Sequence, residues 1–220
     1  MGNPRAIAFF DGQNLFHAAK NCFGSRFPDY DPKALAEWVC QQNGWDLVQV
    51  RHYTGRPPAA EEPFWHHFWT AKMAAMGTRG IYTFARDLKY RNQAAKWPDG
   101  TPILLPDGTR YVTRVAQEKG IDIRLALDVV SLAVDQSYEV AILFTQDQDL
   151  SEASDEVKAI AKAQGRWVTV ACAYPYTSTP ANPSYRNGRG VDRTNWIRLD
   201  QATYKACLDP NDYRPPKPGP

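Results

Sequence analysis

The chain has 220 residues, 43% of them hydrophobic, which is enough for one sizeable core with or without a tail. Its formal net charge of +2 excludes bulk charge as the means of attracting nucleic acid, so where the cations lie matters more than their sum. No apolar run approaches the ~20 residues needed to span a bilayer, and Met-Gly-Asn-Pro-Arg leads straight into a strand without a signal-peptide core, so a cytoplasmic protein with no membrane partner is expected. The four cysteines (Cys22, Cys40, Cys172, Cys207) lack CxxC spacing and nearby histidines, which points to free thiols rather than a zinc site.

Residues 5–10 read as a short buried strand ending at Asp11. Pro32 to about Gln42 fits a helix with proline in its first turn. The alternation of Leu47, Val48, Val50 and Tyr53 predicts a second strand over 45–54. Pro63–Met76 predicts an aromatic helix closed by Gly77, and residues 80–85 a third strand. Residues 86–115 break this rhythm: Asp99-Gly100 and Asp107-Gly108 are turn dipeptides, predicting an inserted loop with a hairpin laid over the main sheet. A helix over Asp122–Asp135, a buried strand over Tyr138–Thr145, a helix over Leu150–Gln164 and a strand over Trp167–Ala173 follow. Strands alternating with helices imply βαβ units, hence an α/β fold with a mainly parallel central sheet. After Pro175 come a Ser/Thr/Asn/Gly/Arg-rich loop to residue 195, an edge strand at Trp196–Leu199 and a short helix capped by Asp200. The organisation expected is a main domain over 1–175, an extension over 176–212 and a disordered proline-rich tail over 213–220.

The informative feature is a set of aspartates placed after apolar runs. Asp11 follows the first strand, Asp147 and Asp149 follow the fourth, and Asp122 and Asp128 frame Ile-Arg-Leu-Ala-Leu in the helix between. Ligands of open α/β sheets collect beyond the carboxyl ends of strands. Carboxylates gathered there make an oxygen-rich site for Mg²⁺ or Mn²⁺ and a candidate for metal-assisted phosphodiester hydrolysis. Each acid also has a plainer role: Asp122 as a helix-dipole partner, Asp149 as a cap, Asp11 in a turn, Asp128 on a solvated stripe with Asp135.

Asp11-Gly-Gln-Asn14-Leu15, Glu118-Lys-Gly-Ile-Asp122 with Leu125-Ala-Leu-Asp128, and Thr145-Gln-Asp147-Gln-Asp149-Leu150 resemble, in order, the motifs of the NYN domain, a family of the PIN-like (PIN/FLAP-like) nuclease superfamily. The resemblance covers about residues 5–174. It implies a three-layer α/β/α fold, a divalent-metal site and RNA processing or decay. It also implies that Asp11, Asp128 and Asp147 are the principal acids, that Asp149 and Asp122 support them, and that Asn14 orients Asp11 or contacts a bound water or phosphate. Gln146 and Gln148 depart from the family's Ser-Gly-Asp-Ser-Asp-Phe.

A phosphate backbone needs a cationic path. Lys89-Tyr-Arg91-Asn92 mixes basic, aromatic and amide groups suited to single strands. Arg186, Arg189 and Arg193 form a second basic set, and Lys119 and Arg124 flank the acidic motif. His17, His52, His66 and His67 have no sequence link to the acids. Phe64, Trp65, Phe68 and Trp69 could form a stacking platform or a partner face, but their helical crowding favours core packing, and a wide apolar face leaves a homodimer open. The leading reading is a metal-dependent endoribonuclease acting on RNA. A catalytically weak RNA-binding or adaptor module, motivated by the two glutamines, and a phosphatase are the alternatives; the phosphatase ranks last because Asp11-Gly-Gln13 lacks the second acid of an Asp-x-Asp pair.

Overall fold

The structure is a computed structural model that describes residues 2–117, 119–186 and 188–216. Strand β1 (Arg5–Asp11) leads into α1 (Gly12–Phe23), then α2 (Pro32–Asn43), β2 (Asp46–Arg56), α3 (Pro63–Thr78) and β3 (Tyr82–Asp87). A ribbon of β4 (Lys89–Ala94) and β5 (Val112–Gln117) precedes α4 (Ile121–Val134) and β6 (Val140–Phe144). A turn of 3-10 helix, Gln148–Leu150, runs into α5 (Ser151–Ala163), and β7 (Thr169–Pro175), β8 (Asn195–Leu199) and α6 (Gln201–Ala206) complete the order. Six strands form one sheet, β3-β2-β1-β6-β7-β8, in which every neighbouring pair is parallel. The strand order therefore departs in opposite directions from β1 and β6, making their carboxyl ends the topological switch point at which open α/β sheets bind ligands.

Residue alternation along the two central strands assigns the layers. Ala6, Ala8 and Phe10 of β1 and Val140, Ile142 and Phe144 of β6 share a core with Leu15 and Ala19 of α1, Leu35 and Val39 of α2, Met76 of α3 and Tyr204 of α6. Ile7, Phe9, Ala141 and Leu143 face Leu125 and Val129 of α4 and Val157 of α5. Covered on both faces, these strands read as continuous apolar runs, as central parallel strands must. The Phe10 and Phe144 rings stack with centroids 3.9 Å apart and lock the two switch-point strands face to face.

Several details differ from the sequence expectation. Gly12–Phe23 is a helix that the strand-and-turn reading leaves unassigned, although Leu15, Ala18, Ala19 and Cys22 lie at helical spacing on its buried face. Helix α3 continues through Gly77 to Thr78, and Gly80 (φ +76°) takes the left-handed turn instead. Arg86 and Asp87 of the 86–115 insertion extend β3, while β4 and β5 form a separate antiparallel ribbon whose Tyr90 hydroxyl donates to Glu62 and whose Arg114 pairs with Glu61 beside the start of α3. Tyr213, expected to begin a disordered tail, is buried edge-on against Phe68, and its hydroxyl donates to Asp209 at 2.7 Å. Residues 217–220 of that expected tail, and Glu118 of the second motif, lie outside the described residues.

Under this C-terminal segment Lys72 is fully buried. Its ammonium donates to the Tyr30 carbonyl at 2.7 Å and lies 3.9 Å from Asp209, while burial pulls its pKa down to about 8. All four cysteines are free and buried. Among the described residues no helix is long and apolar enough to cross a membrane.

Candidate active site

Asp11 is the last residue of β1 and the N-cap of α1. Its Oδ1 accepts the Asn14 amide at 3.0 Å, and its Oδ2 accepts the Thr145 hydroxyl at 3.2 Å across the switch point. Thr145 Oγ1 in turn accepts the Asp147 amide at 3.1 Å, and Asn14 Oδ1 accepts the Gln146 amide at 2.8 Å. Two side chains from the β1 exit and one from the β6 exit thus fix both exits to each other. Asp147 caps the 3-10 turn by accepting the Asp149 amide at 3.1 Å. Gly12 is required at the first position of α1: a Cβ there would stand 2.6 Å from His52 Cε1, and His52 is fully buried and bonded through Nε2 to the Tyr30 hydroxyl. Burial pulls the His52 pKa down to about 3, so it is a neutral wall behind the acids.

Asp122, in the first turn of α4, completes the group. Carboxylate oxygens of Asp11, Asp122 and Asp147 all lie within 4.8 Å of one another. At that separation ionised carboxylates repel by on the order of 3 kcal/mol per pair at an effective dielectric constant near 20. Burial first, and then the charges of Asp122 and Asp147, push the Asp11 carboxyl up to about 7 against its two hydrogen bonds. Burial, then Asp147 and Asp149, raises Asp122 as well. Three carboxylates with no nitrogen or sulfur donor among them fit a hard divalent cation such as Mg²⁺ or Mn²⁺, whose charge would remove the repulsion.

Asp128 stands outside this group. It is buried six residues beyond Asp122 on α4, with Oδ2 accepting from Arg51 at 2.8 Å and Tyr53 at 2.7 Å and Oδ1 paired with Arg124 at 2.9 Å. Burial opposes its ionisation, but the hydrogen bonds from Tyr53 and Arg51 and the two guanidinium charges hold its carboxyl below the usual range. Among the described residues the converging group thus includes Asp122 and not Asp128, whose bonds to Arg51 and Tyr53 tie α4 to β2. Arg124, expected to reach nucleic acid, is engaged by Asp128 and lies over the Phe84 ring. The sequence offered one signal for this arrangement, a charged Arg51 two residues before Tyr53 in a strand otherwise entering the core.

The remaining expected residues are exposed. Asp149 is exposed beside Asp122. Lys119 is exposed, and its carbonyl accepts from Arg86. Lys89 and Arg91 alternate on the exposed face of the ribbon, opposite the face carrying Tyr90. Arg186 is exposed, whereas Arg189 pairs with Asp192 at 3.1 Å.

The two glutamines have a local purpose. Gln146 Oε1 accepts the Tyr185 hydroxyl at 2.7 Å and its Nε2 donates to the Arg189 carbonyl at 3.4 Å. Gln148 Nε2 donates to the Gly190 carbonyl at 3.1 Å, and its Oε1 accepts the Asp192 amide at 3.1 Å. Both side chains turn away from the acids to hold the loop that carries Arg186 and Arg189. That loop fits closely: a Cβ on Gly188 would stand 2.1 Å from Gln146 Nε2.

A parallel three-layer α/β/α fold with acids gathered at its switch point is consistent with a PIN-like domain. The family model described as the NYN domain matches residues 5–184, and the chain belongs to that family. No curated protein matches the chain. Among solved structures, a protein of unknown function from Vibrio parahaemolyticus is similar at 13% identity and a TM-score of 0.48, over 90% of this chain and 94% of that one. A teicoplanin deacetylase complex is similar at 16% identity and a TM-score of 0.29, over 76% of this chain and 68% of that one. At these scores the likenesses carry no functional weight.

Two outcomes follow from the geometry. Removing Asp128 leaves the Arg51 guanidinium buried without its partner, so Asp128→Ala is expected to cost about 3–5 kcal/mol in urea denaturation; a loss under about 1 kcal/mol would refute the positioning role. In metal-free protein Asp11 has a folded pKa raised above its unfolded value. Its contribution is therefore fully present below about pH 4 and lost as pH rises through about 7, on the order of 4 kcal/mol in all. The melting temperature in EDTA should fall from pH 5 to pH 8 for wild type and lose that slope in Asp11→Asn, and added Mg²⁺ or Mn²⁺ should stabilise wild type more at pH 8. Identical slopes in the two proteins would contradict the assignment.

Proposed function

We propose that this NYN-domain chain is a metal-dependent endoribonuclease. The observation that carries the proposal is the convergence of Asp11, Asp122 and Asp147 at the switch point, a crowding of charge that a structural role does not require. Asp11, Asp122 and Asp147 would hold Mg²⁺ or Mn²⁺, with Asp149 at the rim. Asn14 and Thr145 fix the approach of Asp11 by the bonds already described. A divalent ion bound there supplies a lowered pKa for water and neutralisation of charge on the phosphoryl oxygens. Hydrolysis adds water to the phosphorus and breaks its bond to the 3′ oxygen, leaving a 3′-hydroxyl and a 5′-phosphate.

RNA would cross the carboxyl edge of the sheet between two cationic borders. Lys89 and Arg91 stand on the ribbon and Lys119 at the entry to α4. Arg186 lies on the loop held by the two glutamines, with Arg189 available if its pair with Asp192 opens. Arg124, paired with Asp128 but 43% exposed, is a further cation near the acids. The engagement of Gln146 and Gln148 with that loop accounts for their presence beside intact acids, so these substitutions supply no argument for a purely binding or adaptor role. A cytoplasmic setting accords with this activity, and the substrate would be single-stranded or structured RNA.

Labelled RNA and matching DNA incubated with Mg²⁺, Mn²⁺ or EDTA should show metal-dependent internal cleavage of RNA, reduced at least 10²-fold in Asp147→Asn. Salt-sensitive RNA binding without turnover in either metal would replace the nuclease by a binding module.

A further inference from the structure

A cavity of about 370 Å³ opens between α1, α3 and the base of the ribbon, and the proposed reaction does not use it. Gln13 and His17 of α1, Trp65 and Trp69 of α3, and Leu88 and Ala116 at the base of the ribbon line it. We propose that this cavity is a subsite for one unpaired nucleobase of the RNA, adjacent to the phosphate that the acids face, so that the enzyme selects flexible single-stranded positions. The inference rests on the nuclease reading and adds the substrate feature that the site would select.

Position is the first argument. Helix α1 begins at the Asp11 cap, and Gln13, in its first turn, donates from Nε2 to the Gly55 carbonyl at 3.2 Å, at the carboxyl end of β2. The cavity therefore lies along the same sheet edge as the carboxylates. Its walls are the second argument. Trp69 is buried, whereas Trp65 is half-exposed and held by edge-on contacts to Phe64 and Phe68 and a tilted contact to Phe16. A fixed, partly open indole offers a π-face for stacking, which any base can use, and such stacking recurs in single-strand binding proteins. Pro28 and Pro57 complete walls that do not need to reorganise.

The third argument is the polar rim. Gln13 and His17 present an amide and an imidazole to a base edge, and the exposed Lys20 at the mouth offers a cation to a flanking phosphate. Partial burial and the neighbouring Lys20 lower the His17 pKa, which favours the neutral ring with one donor and one acceptor. Glu62, also at the rim, is occupied by the Tyr90 hydroxyl, and the Glu61–Arg114 pair reinforces this attachment of the ribbon to α3, so the fourth wall is anchored. A paired base within a duplex could not enter a cavity closed on these sides.

The experiment uses the full chain in EDTA and an RNA oligonucleotide in which 2-aminopurine replaces each position in turn. Wild type should quench one position several-fold, and wild type in Mn²⁺ should cut beside that position. Trp65→Ala should abolish the quench and weaken binding about tenfold or more, and Trp65→Phe should restore much of both. Ala116→Phe, made on the exposed ribbon wall, should fill the cavity and abolish the quench even if Trp65→Ala fails to fold. Quenching that is absent at every position, or that persists in Ala116→Phe, would overturn the subsite. Cleavage without such quenching would keep the nuclease and discard the subsite; quenching without cleavage would keep the subsite and discard the nuclease.

Discussion

The hydrogen-bond chain Asn14–Asp11–Thr145–Asp147 is the constraint on which the site depends. It joins the exits of β1 and β6, the two strands between which the sheet order diverges. Asp11 is held only 4% exposed, in a place where its charge is disfavoured by burial and by two neighbouring acids. Two hydrogen bonds do not offset that cost, since they leave its pKa raised to about 7. A fold that retains such an arrangement is carrying an electrostatic debt that a divalent cation would discharge. The apolar strands beneath, stacked through Phe10 and Phe144, supply the rigidity that keeps the three carboxylates together.

Much of the architecture was legible in the sequence because central parallel strands, buried on both faces, must be continuous apolar runs. Residues 6–10 and 140–144 satisfy that rule, and the acids that follow them mark the carboxyl edge. What was not legible depended on contacts between distant residues. Asp122 and Asp128 are the same residue type on one helix; Arg51 and Tyr53 on β2, with Arg124, engage Asp128, while Asp122 meets Asp11 and Asp147. Helix α1 went unassigned because its first turn, Gly12-Gln13-Asn14, resembles a loop. Asp11 resolves this by capping, and His52 leaves room for nothing larger than Gly12. Tyr213 looks like part of a proline-rich tail until Phe68 and Asp209 give its ring and hydroxyl partners.

Gln146 and Gln148 depart from the family motif, and larger amides beside the acids suggest a degenerate pocket. Their actual bonds run to Tyr185, Arg189, Gly190 and Asp192, so the strand exit that presents Asp147 also anchors a loop with two arginines. The ribbon performs a similar service on the opposite side, where Tyr90 and Arg114 attach it to Glu62 and Glu61. The acidic edge is thus bordered by two elements, each fastened by polar side chains and each carrying exposed cations.

Mn²⁺ binding followed by calorimetry on wild type, Asp122→Asn and Asp128→Asn tests the central claim most directly. Wild type should bind, Asp122→Asn should lose at least tenfold in affinity, and folded Asp128→Asn should retain binding within a few-fold. Loss of binding in Asp128→Asn with retention in Asp122→Asn would contradict the account and return Asp128 to the metal site.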